Sequence, residues 1–233
     1  MTLLSQFLTD FVQLIYPMVC HGCGANLLKN ERVLCTSCLV NLPRTNYHTD
    51  RDNPVSQLFW GRSDIFIATA WYRFKKGSSY QELIHKLKYC GAYEIGYELG
   101  KHFGSELMTS PWFSKIDYIV PVPLHPERLK KRGYNQAECI ARGMSVAMKV
   151  PLETENLCRT KYTSTQTNKT RIERWANVES IFSMTDPGKY ERKCILLVDD
   201  IITTGATLEA CANTIQEAEG VKILIAALGF TSR

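Results

Sequence analysis

The first 28 positions of the chain contain no Lys or Arg. A secretory signal opens on a charged segment, so none is expected here. Cys20 follows an apolar stretch, as a lipoprotein signal would have it, but Met18-Val19 is a poor small-residue cleavage site. No run of about 20 uninterrupted apolar residues occurs, so no membrane span is expected. Gly-x-x-x-x-Gly-Lys-Ser/Thr is also missing, which removes the lysine that an ATP-binding P-loop needs. Cysteine is abundant instead, at nine residues, and an odd number argues against a fully paired disulfide framework. Four of the nine lie in two Cys-x-x-Cys pairs, the usage of a reducing compartment with one metal site. The expected location is the cytoplasm. A formal charge of +5 is mildly basic, which permits an anionic ligand without requiring one. With 233 residues, 45% apolar and 22% charged, the chain can hold one medium domain plus a small module.

Residues 3 to 15 carry Leu3, Leu4, Phe7, Leu8, Phe11, Val12, Leu14 and Ile15 at helical spacing. A helix docked by its apolar face is favoured over membrane attachment, because the polar face lacks lysines. Behind it, Cys20 and Cys23 are separated by eleven residues from Cys35 and Cys38. Each turn can aim two sulfurs at one ion, and two turns complete a tetrahedral site with no open position. That means structural Zn2+, worth on the order of 10 kcal/mol to so short a segment. His21 is a spare ligand, and free or redox thiols are the alternative. Residues 41 to 63 are polar, with Pro43 and Pro54, and read as a linker.

The main domain starts with an alternating, aromatic-rich segment over 65–74 that suits a strand or a hairpin. Two helices follow, over 78–89 and 93–108, broken at Gly91. Lys75, Lys76, Lys86 and Lys88 read as solvated helix faces. A strand over 117–120 enters Pro121-Val122-Pro123-Leu124, a rigid loop at a strand's carboxyl end. Arg128, Lys130, Lys131 and Arg132 come next, before a helix from about Asn135 to Lys149. Four cations in five positions repel each other unless an anion is present, so they predict a pyrophosphate or nucleic-acid contact, with a solvated basic loop as the alternative. The cationic stretch 159–179, which includes Tyr162, Arg174 and Trp175, reads as a flap or short exposed helix that excludes water, with Arg174 a further candidate for DNA or pyrophosphate contact, or as an ordinary surface excursion.

Ile195 to Val198 is fully apolar, as a parallel strand buried on both faces would be. Asp199 and Asp200 sit at its carboxyl end, where open α/β sheets place their ligands. Thr203, Thr204, Gly205, Ala206 and Thr207 follow and open a helical run. Gly205 can take positive φ, the helix amino end offers unpaired N–H groups, and the hydroxyls add donors. Carboxylates beside a phosphate cradle fit a sugar phosphate. The alternative is a plain strand-to-helix turn with a Thr cap and two solvated aspartates. A last strand over 222–228 extends the sheet.

The stretch 194–207 resembles the phosphoribosyl-pyrophosphate (PRPP) motif of type I phosphoribosyltransferases. The ordered set is longer. Paired Cys-x-x-Cys turns, Val-Pro-Val-Pro-Leu-His-Pro-x-Arg-x-x-x-Arg-Gly-Tyr-Asn-Gln at 120–136, Gln166 with Arg174 and Asn177, and Leu-Leu-Val-Asp-Asp-Ile-Ile-Thr-Thr-Gly-Ala-Thr at 196–207 resemble the ComF family of bacterial proteins, of the ComFC and GntX type. The resemblance implies an α/β fold: a type I phosphoribosyltransferase-like parallel sheet flanked by helices, with a small N-terminal zinc-ribbon module. Residues 1–45 would be the helix and zinc ribbon, 46–64 the linker and 65–233 the phosphoribosyltransferase-like domain. Asp199 and Asp200 would hold the ribose hydroxyls and would be the catalytic pair if there is chemistry. Thr203 to Thr207 would hold the 5′-phosphate. Pro121 to Leu124 would face the pyrophosphate, helped by Arg128 or Arg132, and Mg2+ would accompany PRPP.

The resemblance implies three functions, and the residues leave all of them open. One is a cytoplasmic competence factor that binds PRPP and handles single-stranded DNA in natural transformation. Few aromatics interleave with its cations in sequence, Tyr134, Tyr162 and Trp175 being the ones in view. The second is an active Mg-dependent phosphoribosyltransferase with a small-molecule acceptor, although no general base or nucleobase pocket can be read. The third is a PRPP-sensing adaptor that docks a competence helicase or another protein partner.

Overall fold

The computed structural model describes residues 17–74, 79–89, 91–159 and 181–231. The helix expected over 3–15, and the flap beyond Arg159 with Tyr162, Gln166, Arg174, Trp175 and Asn177, lie outside the described residues. The strands are β1 (Ile67–Arg73), β2 (Tyr118–Pro121), β3 (Leu157–Arg159), β4 (Phe182–Met184), β5 (Cys194–Ile202) and β6 (Lys222–Phe230). Four of them form one parallel sheet in the order β1-β6-β5-β2, and β3 and β4 form a separate antiparallel pair.

Side-chain alternation assigns the apolar run of β5 to two cores. Leu196 and Val198 face one side with Ile67, Trp71 and Leu224, while Ile195 and Leu197 face the other with Ala68, Ala70 and Ile225. Helices cover both faces, which is why the strand reads as continuously hydrophobic. Each fully buried Leu or Ile contributes about 1.5–3 kcal/mol before chain entropy is charged.

The helices are α1 (Thr36–Val40), α2 (Pro54–Gln57), α3 (Ser79–Tyr89), α4 (Tyr93–Leu107), α5 (Pro126–Arg132), α6 (Gln136–Met148) and α7 (Ala206–Ile215). α4 and α6 pack with their backbones almost touching. Gly96, Gly100 and Gly104 form the ridge on α4, and a methyl at Gly100 would fall on the Ile140 carbonyl of α6. This glycine spacing, a close-approach signal, escapes the helical-periodicity reading of 93–108.

Three expectations need correction. Residues 46–64 do not trail as a linker but pack against β1. The Asn53 side chain caps α2 and donates to the Ala68 carbonyl at 2.9 Å, Ser56 Oγ accepts the Ala68 N–H at 2.9 Å, and Val55 and Phe59 are buried. The segment looked like a linker because its polar groups are used inside the fold. Second, the strand expected over Ile195 to Val198 runs from Cys194 on to Ile202, so Asp199 and Asp200 lie within it, ahead of Ile201 and Ile202, with Asp199 in register with Ala227. Third, the four cations at 128–132 ride on a helix of their own, α5. It is capped by His125, which accepts the Glu127 N–H, and closed by Gly133 at φ 80°.

Candidate functional site

The thiol sulfurs of Cys20, Cys23, Cys35 and Cys38 all lie within 4.8 Å of one another. Cys23 and Cys35 Sγ are 3.7 Å apart, close to the edge of about 3.8 Å that a tetrahedron with 2.3 Å Zn–S bonds requires. Backbone amides point at the sulfurs: Gly22 and Cys35 N–H donate to Cys20 Sγ at 3.4 and 3.3 Å, and Cys38 N–H to Cys35 Sγ at 3.4 Å. Burial alone would raise the Cys20 thiol, but the amides of Cys35, Cys23 and Gly22 outweigh it and bring the thiol down to about 6. Cys38 goes the other way, pushed up by burial and by the other three sulfurs. Four sulfurs this close share their negative charge only with a cation among them, and the donor set fits structural zinc. The module is anchored to α3, where Tyr80 Oη donates to the Cys38 carbonyl at 3.0 Å and Lys86 Nζ to the His21 carbonyl at 3.1 Å.

The second cluster gathers at the carboxyl edge of the parallel sheet. β2 and β5 are neighbours, with Pro121 in register with Val198 and the Val122 N–H donating to the Val198 carbonyl at 2.9 Å. That pairing brings the loop of Pro121, Val122, Pro123 and Leu124 beside Asp199. Asn135, at the head of α6, holds the loop by donating to the Val122 carbonyl at 3.0 Å. On the same edge Thr203 and Thr204 lead to Gly205, whose φ of 76° turns the chain into α7. A side chain there would be doubly refused, since a Cβ would stand 2.9 Å from the Phe59 ring. Asp199, Ile201 to Ala206, Thr207 and Leu208 line a hollow that opens on the α7 amino end. Unpaired N–H groups at such an end favour an anion.

The acid pair is asymmetric. Asp200 accepts from Lys88 Nζ at 2.9 Å, while the Asp199 carboxylate accepts only the Asp200 N–H, at 2.8 Å, among the described residues. Burial first, and Asp200 second, push the Asp199 carboxyl from 3.8 up to about 7. A carboxyl in that range exchanges protons at neutral pH.

Three of the expected groups are therefore brought together, namely the acid pair, the threonine loop and the proline loop; the cations of α5 follow the proline loop in the chain but make no contact with the acid pair among the described residues. Arg132 Nη1 donates to Gln136 Oε1 at 2.7 Å and its guanidinium lies 5.2 Å from the Tyr89 ring centre. Arg128, Lys130 and Lys131 are exposed on α5 and have no ion pair with the acid pair. Two residues of the site were missed by sequence reasoning. Lys88 looked like one more solvated lysine, and its partner lies far along the chain. Arg62 sat in the stretch read as linker, yet its Nη1 donates to the Thr204 carbonyl at 3.2 Å and its Nη2 pairs with Glu209 of α7. Arg62 and Phe59 thus buttress the threonine loop from beneath.

A parallel α/β sheet flanked by helices, with a four-cysteine group on its amino-terminal side, is the class that fold and site define. No family model matches the chain. Among curated proteins it is similar to DNA utilization protein YhgH of Escherichia coli K12, 27% identical over 202 residues that cover 84% of this chain and 82% of that protein. It is similar to Competence protein ComFC of Bacillus subtilis strain 168, 28% identical over 85% of this chain and 78% of that protein. Competence protein F of Haemophilus influenzae is 33% identical over 100 residues, 42% of this chain and 44% of that protein, so that match spans under half of its length. These relatives bear out the resemblance to the ComF family. Solved structures with a similar chain path include a glutamine PRPP amidotransferase from B. subtilis complexed with ADP and GMP (21% identical, TM-score 0.40, 56% of this chain and 26% of that one). An adenine phosphoribosyltransferase is 15% identical with a TM-score of 0.35, over 69% of this chain and 92% of that one. Among the described residues no helix is long and apolar enough to cross a membrane.

Proposed function

We propose that this chain is a ComF-like competence factor of the cytoplasm, whose phosphoribosyltransferase-like domain binds PRPP and which handles single-stranded DNA during natural transformation. The observation that carries the reading is the meeting, on one sheet edge, of Asp199, the Gly205 turn into α7 and the Pro121–Leu124 loop, with Asp200 next to Asp199 along β5. A ligand that satisfies all three needs hydroxyls for the carboxylates, a phosphate for the threonine loop and further anionic oxygens for the proline loop. PRPP has that composition. Asp199 and Asp200 would accept from the ribose hydroxyls, and the N–H and hydroxyl groups of 203–207 would donate to the 5′-phosphate. Carboxylate oxygens are also the donors Mg2+ takes, and Lys88 already stands as a cation against Asp200. When bound, Mg2+ supplies charge neutralisation of the diphosphate. The DNA part of the reading is supported by the names of the relatives and by the exposed cations of α5.

Thermal unfolding with and without PRPP and Mg2+ tests the binding. A hundredfold excess over the dissociation constant is expected to add about 2.7 kcal/mol, and Asp200→Asn to abolish the gain. A melting temperature that PRPP leaves unmoved in the wild-type protein would sink the proposal.

One observation favours a second reading, in which the chain transfers the phosphoribosyl group to a small acceptor. Asp199, held near neutrality by burial and Asp200, has the proton affinity of a general base. Release of pyrophosphate from PRPP in the presence of nucleobases or amines, lost in Asp199→Asn, is the expected sign. Silence across a broad acceptor panel leaves binding as the role of the site.

A further inference from the structure

In sequence the aromatics near the basic segment are few, but the fold collects others around it. Tyr89 ends α3 and Tyr93 begins α4, with Gly91 at φ 70° in the turn between them. Both rings stand out of the surface, 64% and 56% exposed. His85 stacks at a tilt on Tyr89, with ring centres 4.9 Å apart, and Tyr93 meets Tyr134 edge-on at 6.4 Å. Arg132, the last residue of α5, lies 5.2 Å from the Tyr89 ring centre, which joins the aromatic group to the cations of that helix. Arg128, Lys130 and Lys131 are exposed along α5.

We infer that Tyr89 and Tyr93 are a base-stacking platform for single-stranded DNA, with Arg128, Lys130, Lys131 and Arg132 tracking its phosphates. This deepens the proposed function and rests on its DNA part, by naming the surface where the strand lies. The chemistry selects the occupant. Exposed aromatic faces beside a row of cations match a polymer with a free π-face and a phosphate at each step. Duplex DNA offers the phosphates but keeps its bases stacked inside, and an acidic peptide would engage the cations and leave the rings unused. The platform also borders the acid pair, because Lys88, the neighbour of Tyr89, is the residue paired with Asp200.

The test is fluorescence anisotropy of an end-labelled oligo-dT of about 20 nucleotides, a length that spans more than one single-strand binding site, against the zinc-loaded full chain. Stacking losses of the usual size make Tyr89→Ala with Tyr93→Ala bind at least about tenfold more weakly. Tyr89→Trp with Tyr93→Trp is expected to hold wild-type affinity or better, which separates stacking from loss of the hydroxyl. Lys130→Ala with Lys131→Ala is expected to flatten the dependence of log affinity on log salt by roughly 1.4, at about 0.7 per phosphate contact. Both tyrosines are exposed, so the alanine variant is expected to melt with the wild type, and matched thermal curves establish that it is folded. Wild-type binding of oligo-dT that the alanine pair leaves unchanged overturns the platform alone, as does a preference for duplex of the same length. A wild-type protein that binds no oligo-dT overturns the DNA reading and the platform with it.

Discussion

Replacing Asp199 by Asn is expected to stabilise the ligand-free protein while weakening its hold on PRPP. Asp199 and Asp200 are consecutive near the end of β5, so strand alternation turns their side chains to opposite faces of the sheet, and Lys88 serves Asp200 on its own face. Asp199 is left half-buried, and burial together with Asp200 raises it from 3.8 to about 7. A change of that size is a penalty of about 4 kcal/mol on the ionised form. Water at the open side of the hollow screens part of it, leaving on the order of 1–2 kcal/mol. In the unfolded chain this carboxyl ionises near its ordinary value, so between there and about 7 the folded state holds the extra proton. Wild-type stability therefore falls as pH rises through that window and levels off above it. Asparagine carries no charge at any pH and keeps the oxygen that accepts the Asp200 N–H. Urea unfolding at pH 4 and pH 8 is the assay. The two proteins are expected to match at pH 4, and the variant to be more stable by about 1–2 kcal/mol at pH 8. A variant less stable than wild type at pH 8, or a difference that ignores pH, refutes the reasoning.

Stripping the metal with a chelator is expected to release one zinc per chain in a colorimetric assay and to lower the melting temperature; Cys23→Ser is expected to reproduce both losses. Gly100→Ala is expected to cost about 1–3 kcal/mol in denaturant unfolding, because α4 and α6 must separate to admit the methyl. Arg62→Ala, by contrast, is expected to change stability by less than about 1 kcal/mol, as a partly exposed pair should. Its effect is on the threonine loop, read as a severalfold rise in the dissociation constant for PRPP.

Much of this architecture is legible in the residues, and for stated reasons. The run Ile195 to Val198 is legible because burial on both faces leaves no polar position to blur it. Helices α3 and α4 are legible because Gly91 interrupts two amphipathic patterns. The paired Cys-x-x-Cys spacing carries its own geometry, and the structure closes the four sulfurs to within one ion's reach. What escapes is long-range reuse of polar groups. Asn53 and Ser56 look solvated in sequence and spend their hydrogen bonds on Ala68 inside the fold. Arg62 reaches Thr204 across 142 positions, a pairing no local pattern records. The same holds for Lys88 with Asp200 and for Tyr89 with Arg132: each residue is ordinary where it stands in the chain, and its role comes from the element that packs beside it.

Calorimetric titration of the zinc-loaded chain with PRPP in the presence of Mg2+ addresses the central claim most directly. Saturable binding at one site per chain is expected, lost in Asp200→Asn and weakened by a side chain at Gly205. No heat of binding from the wild-type protein, or binding that Asp200→Asn leaves intact, contradicts it.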